Sequence, residues 1–211
     1  MQHHHWIGRV VCFSGFVRVF CATALLCLGL HAAHAQSAPA TPAALSPSPS
    51  PSPSPEKLFD PIASVLTHPR CINCHQAQAP KQKDTSITHL QKIVRGADGH
   101  GAPTMQCTAC HQAKNSADGK VPGAPGWHLA PLSMSWEGKS RAQICQQIKD
   151  PARNGKRKTP HEVVEHMSVD PLVLWAWNPG GDRSTPYVSH EKFVEFLQTW
   201  SKAGMPCPEE K

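Results

Sequence analysis

Two stretches of the chain repeat one arrangement of sulfur and imidazole: HPRCINCHQAQ over 68–78 and MQCTACHQAK over 105–114. In each, two cysteines are separated by two residues and a histidine follows the second, giving Cys71, Cys74 and His75, then Cys107, Cys110 and His111. A C-x-x-C pair alone is compatible with a thioredoxin-like redox pair or half of a zinc site. The redox alternative lacks a βαβ context around either pair, and the zinc alternative must explain two pairs each followed at once by histidine. C-x-x-C-H is the attachment signature of c-type haem. Each thiol adds across one vinyl group at the porphyrin edge, which ties the ring to a single short turn. The following residue is then carried beneath the ring, where its imidazole binds the iron from the proximal side. The pattern implies two covalently attached haem c groups, one on Cys71, Cys74 and His75 and one on Cys107, Cys110 and His111. The CHQA shared by both motifs hints at an internal duplication.

The distal iron ligands are less determined. His68, His89, His100, His128, His161, His166 and His190 compete with Met105, Met134, Met167 and Met205. Histidine gives a low-potential bis-histidine haem, whereas methionine raises the potential. His89, which sits between the two motifs, and His166, on a capped helix with Val163 and Met167 toward the core, lead as metal ligands. His68 is a third candidate, too close in sequence for its own haem but able to reach the second, and Met134 is the best methionine.

These sites need a scaffold, and the first part of the chain is not it. Residues 1–35 carry the marks of a signal peptide: Arg9 and Arg18, an apolar run of twelve over Val19–Leu30, and AHA at Ala33–Ala35 before Gln36. That run is shorter than the roughly 20 residues of a transmembrane helix, with an uncleaved anchor as the alternative. Residues 36–55 alternate Pro, Ser and Ala, a composition that cannot bury a core and favours an extended spacer. The expected domain is 56–211, in the periplasm, with no membrane span after cleavage. It is poor in apolar mass, with three Phe and one Tyr. Two large flat macrocycles would supply what the side chains do not.

Three of the nine cysteines fall in the signal segment and four in the motifs, leaving Cys145 and Cys207. In an oxidising compartment a disulfide between them is the first expectation, with two free buried thiols or an intermolecular bridge as alternatives. Nineteen basic side chains against fifteen acidic ones leave the processed chain at +4, too small a balance to call for nucleic acid. KDPARNGKRK over 149–158 concentrates five positive charges. It is either a solvated loop or a docking patch for an acidic redox partner.

The expected fold is mainly α with long irregular loops, organised around the two haems. Lys57–Leu66 is a short helix candidate, and each motif opens or lies on a helical turn. Ser140 caps a helix through Lys149, and Thr159, Pro160 and Glu162 begin another that runs through about Met167. Ser189 caps a last helix whose Phe193, Phe196, Leu197 and Trp200 share a face, stopped by Gly204 and Pro206. Residues 96–104 and 120–126 are read as loop, and no strand pattern is evident. Trp127, Trp136, Trp175, Trp177 and Trp200 are read as haem-packing and core residues rather than radical relays.

HPRCINCH, RGADGHGAP, CTACH, PGAPGWHLAP, IKDPARNG, LVLWAWNPG and the final GMPCP together resemble a group of proteobacterial periplasmic dihaem c-type cytochromes, over about residues 68–208. Some of these are named as the cytochrome subunit of isoquinoline 1-oxidoreductase, a molybdenum hydroxylase. The resemblance implies electron transfer from a periplasmic dehydrogenase towards the respiratory chain, with redox proteins as partners, and no catalytic residues. A dihaem peroxidase with one open iron is the alternative, and such enzymes are about twice this length. A haem sensor would carry an output domain, which the sequence lacks.

Overall fold

The structure is a computed structural model that describes residues 54–82, 84 and 87–210. The expected signal segment and all but the end of the expected linker lie outside the described residues. Helices dominate, joined by long irregular stretches.

A 3-10 turn over Pro55–Phe59 runs directly into helix α1, Asp60–Leu66, where one helix was expected over Lys57–Leu66. Helix α2, Pro69–Ile72, carries the start of the first motif, and a 3-10 turn over Cys107–Ala109 carries the second. Helix α3, Arg141–Lys149, starts at a capping box: the Ser140 hydroxyl accepts from the Gln143 amide at 3.1 Å and the Gln143 side chain accepts from the Ser140 amide at 3.0 Å. Helix α4, Pro160–Val169, starts the same way on Thr159 and Glu162. Helix α5, Pro171–Leu174, follows at once and leads into a 3-10 turn over Trp175–Trp177. Helix α6, His190–Lys202, is capped by Ser189 and buries Phe193, Leu197 and Trp200, spaced i, i+4 and i+7 along one stripe.

Two small antiparallel ladders were not expected. Strand β1, Lys81–Gln82, pairs with β2, Ile87–Thr88, and β3, Gly101–Ala102, pairs with β4, Met105–Gln106. Two-residue strands leave no alternation for a sequence pattern to record. Gly101, at φ +96°, is needed where it stands: a Cβ there would meet the Met105 carbonyl oxygen at 2.7 Å.

The apolar core lies between α1, α3, α4 and α6. Phe59, Ile62, Ile144, Phe193, Leu197 and Trp200 are essentially inaccessible, and Phe59 packs against Trp200 at 5.1 Å between ring centres. Cys145 of α3 is joined to Cys207 in the tail, with their Cα atoms 5.6 Å apart, so the expected disulfide is present. The tail is also tied by the Trp200 indole, which donates to the Pro206 carbonyl at 2.8 Å. The described residues of 73–129 contribute nothing to this core. That segment holds its shape through turns and side-chain-to-backbone hydrogen bonds, and its interior faces a cavity. No helix among the described residues is long and apolar enough to cross a membrane.

Candidate functional site

Both motifs adopt the same closing turn. The His75 amide donates to the Cys71 carbonyl at 3.0 Å, and the His111 amide donates to the Cys107 carbonyl at 2.9 Å. The four cysteines of the motifs are free thiols, although Cys145 and Cys207 are bridged. Burial, reinforced by the neighbouring Cys74, pushes the Cys71 thiol up to about 12, and burial pushes Cys74 up to about 11. A redox-active pair depends on a stabilised thiolate, the opposite of the setting of Cys71 and Cys74. Among the described residues, no three His, Cys, Asp or Glu side chains converge on a point that could hold a metal ion.

The two motif histidines are held alike. His75 Nδ1 lies 2.9 Å from the Met134 carbonyl oxygen, and His111 Nδ1 lies 2.8 Å from the Pro122 carbonyl oxygen. A carbonyl only accepts, so Nδ1 carries the proton in each ring and the neutral tautomer leaves the Nε2 lone pair free. Burial keeps both rings neutral, lowering His111 and taking His75 down to about 3 against the opposing pull of the Met134 hydrogen bond. Each ring also lies flat against an indole: His75 on Trp136 at 3.5 Å and His111 on Trp127 at 4.6 Å, both pairs within 7° of parallel. A backbone bond fastens the first of these supports to its motif, the Trp136 amide donating to the His75 carbonyl at 2.8 Å. Gly123, beside Pro122, approaches the Gln112 and Lys114 carbonyl oxygens so closely that no side chain fits there.

Each histidine opens into its own cavity. A space of about 310 Å³ is lined by Cys71, Cys74 and His75 and, from α4, by His166 and Met167. A second, of about 520 Å³, is lined by Cys74, His89, His111, Trp127, Trp175 and Arg183. Both volumes fall in the range of about 300–1,000 Å³ typical of cofactor sites. The two leading distal candidates thus line different cavities, one facing each motif histidine.

In the larger cavity the His89 and His111 rings are 6.2 Å apart between centres and inclined at 75°. In the smaller cavity His166 Nδ1 is 3.3 Å from an Asp170 carboxylate oxygen, which directs Nε2 the other way. Burial lowers His166, opposed in part by Asp170. His89 Nδ1 is buried without a hydrogen-bond partner among the described residues.

The remaining histidines are placed elsewhere, with one exception. His68 is buried and caps α2, accepting from the Arg70 amide at 3.2 Å, and lines neither cavity. His161 is exposed beside Glu165, and His190 is engaged with the Met167 carbonyl at 3.0 Å. His100 stacks on His128 at 4.9 Å. His128 is the exception, because it also lines the His75 cavity. Met134 lines that cavity too, but its backbone is committed to His75. Met105 is half exposed, and Met205 is buried in the apolar core.

The basic stretch 149–158 is not uniformly solvated. Asn154 is buried and donates to the Ile148 and Arg157 carbonyls at 2.7 and 2.8 Å, which turns Arg157 inward to line the His75 cavity. Lys149, Lys156 and Lys158 remain exposed, and Arg153 pairs with Asp150 at 2.7 Å. The two carbonyl acceptors and the cationic lining, Arg70, Arg157 and Arg183, were not singled out by sequence. The tryptophans on the rings were, as packing residues. A scan against protein-family models finds no match, and searches of curated proteins and of solved structures find none either.

Proposed function

We propose that the chain is an exported dihaem c-type cytochrome, an electron carrier between a periplasmic dehydrogenase and the respiratory chain. The observation that carries this is the pair of equivalent sites. Each has a C-x-x-C-H turn whose histidine is fixed as the neutral Nδ1–H tautomer against an indole, and each faces a cavity holding a second imidazole. The residues fit a haem on three counts. Two imidazoles complete a metal's coordination only where the other ligands come from outside the side chains, and a porphyrin provides four. The paired thiols are free rather than bridged, and burial holds those of Cys71 and Cys74 protonated. The described residues of 73–129, which add nothing to the apolar core, line most of a cavity a macrocycle would fill.

Haem c, when bound, supplies a one-electron Fe(III)/Fe(II) couple. Cys71, Cys74, Cys107 and Cys110 would tether the two groups, His75 and His111 would bind from the proximal side, and His166 and His89 from the distal side. The Met134 and Pro122 carbonyls hold the proximal protons at Nδ1, and Trp136 and Trp127 fix the ring planes. A rigid two-histidine setting suits a carrier, which accepts one electron and passes one on with little rearrangement. The molybdenum hydroxylase as donor follows from the family resemblance alone.

Optical and EPR spectra of the oxidised, purified protein test this. Two low-spin, six-coordinate bis-histidine signals are expected, with poor carbon monoxide binding after reduction and negligible peroxide turnover. A high-spin haem that binds carbon monoxide stoichiometrically and turns over hydrogen peroxide would replace the carrier with a peroxidase-like enzyme.

A further inference from the structure

The two cavities share part of one wall, and a buried cation stands in it. Arg70, on α2 one residue before Cys71, lines both cavities, as does Cys74. Its side chain is 5 % exposed. One guanidinium nitrogen pairs with Asp84, and the group lies 5.9 Å from the centre of the Trp175 ring. Trp175 belongs to the larger cavity, whereas Ala176 and Trp177 after it belong to the smaller. The wall is therefore built from α2 and the 175–177 turn, with Arg70 where they meet.

Asp84 does not use all of this guanidinium. Arg70 Nε is buried and has no hydrogen-bond partner among the described residues. A buried donor of a charged group left unsatisfied is costly, and one beside two cavities points to an acceptor within them. Carboxylate substituents are the anionic part of a haem and match the guanidinium geometry.

We infer that Arg70 is a single cation shared by both haem sites, its free Nε–H serving a haem carboxylate, and that its charge raises the reduction potentials of both irons together. This rests on the proposal that both cavities hold haem. Arg70 is a positioning and tuning residue here, since it touches the groups without binding either iron. A fixed positive charge disfavours the ferric state, so removing it lowers the potential. At an effective dielectric of about 20 and separations on the order of 10 Å, one unit charge is worth roughly tenfold in a one-electron equilibrium. Tenfold corresponds to about 59 mV for one electron.

The test is a spectroelectrochemical titration of the full-length holoprotein, with the haem content of every variant measured by mass. Arg70→Gln should lower both potentials, each by about tenfold in the ratio of oxidised to reduced haem, while Arg70→Lys should hold both near the wild-type values. Should Arg70→Gln fail to mature, Asp84→Asn carries the test with the opposite sign. It removes the counter-charge, so it should raise both potentials, more at the His111 site whose cavity Asp84 lines. Two haems present and only one potential moved, or neither, would overturn the assignment of Arg70. A wild-type chain without two covalent haems would instead overturn the underlying proposal.

Discussion

Breaking the Cys145–Cys207 bridge should cost the domain a large part of its stability. The bridge joins residues 62 apart. On the chain-entropy relation a loop of that length stabilises the fold by about 4 kcal/mol at 25 °C, by restricting the unfolded chain. Cys145 is completely buried in the core between α1, α3 and α6, so replacing it with alanine adds a small cavity cost of about 1 kcal/mol. Two perturbations separate these contributions. Selective reduction removes only the cross-link, whereas the Cys145→Ala, Cys207→Ala double variant removes the cross-link and the buried sulfur. For a urea slope near 2 kcal/mol/M, reduction should move the unfolding midpoint down by about 2 M. The double variant should move it slightly further. Helical circular dichroism followed through a urea titration, with the irons kept ferrous in all samples, reads both shifts. The Trp200–Pro206 hydrogen bond still ties the tail in the reduced protein, so the domain should remain folded without denaturant. A midpoint shift under about 0.5 M on reduction would refute the loop-entropy reasoning.

Each site should respond separately to loss of a ligand. His166→Ala should convert only the haem of the first motif, and His89→Ala only that of the second, to a high-spin, carbon-monoxide-binding form in the optical spectrum; a variant that leaves both haems low-spin removes that histidine from the ligand set. Asp170 both caps α5, accepting from Leu172 N at 2.9 Å, and directs His166. Since Asn caps a helix as well as Asp, Asp170→Asn should leave stability within a few tenths of a kcal/mol, whereas Asp170→Ala should lose about 1 kcal/mol. Both should raise the potential of the His75-site haem, and an unmoved potential would show that the carboxylate does not act through His166. Reduction by an acidic redox partner should slow as salt rises, because charges on Lys149, Lys156 and Lys158 are screened within about 10 Å at 0.1 M ionic strength; a salt-independent rate in stopped flow would remove that face from docking.

Much of the scaffold is legible in the sequence because its signals are local. Ser140, Thr159 and Ser189 each sit one residue before the helix they cap. The apolar spacing of α6 predicts the buried face carried by Phe193, Leu197 and Trp200, with Phe196 at its margin. The motif residues are legible because the attachment chemistry fixes their spacing. What holds them in place is not local. The carbonyl that orients His75 is 59 residues away and the one that orients His111 is 11 away. Every residue carries such a carbonyl, so composition leaves no trace of it. His68 looks like a ligand by type, but its extended backbone before Pro69 makes it the cap of α2. Arg157 looks like one charge in a solvated run, yet the hydrogen bonds of Asn154 turn it inward. Arg70 acquires its place between the cavities only when α2 meets the turn at 175–177.

Covalent attachment of two haems is the claim on which the rest depends, and the intact mass of the denatured, unreduced holoprotein measures it directly. After alkylation in denaturant the chain should carry the mass of two haems and no alkyl group, because four cysteines are thioethers and Cys145 is bridged to Cys207. A chain that has lost all haem and carries four labelled thiols at Cys71, Cys74, Cys107 and Cys110 would contradict the account.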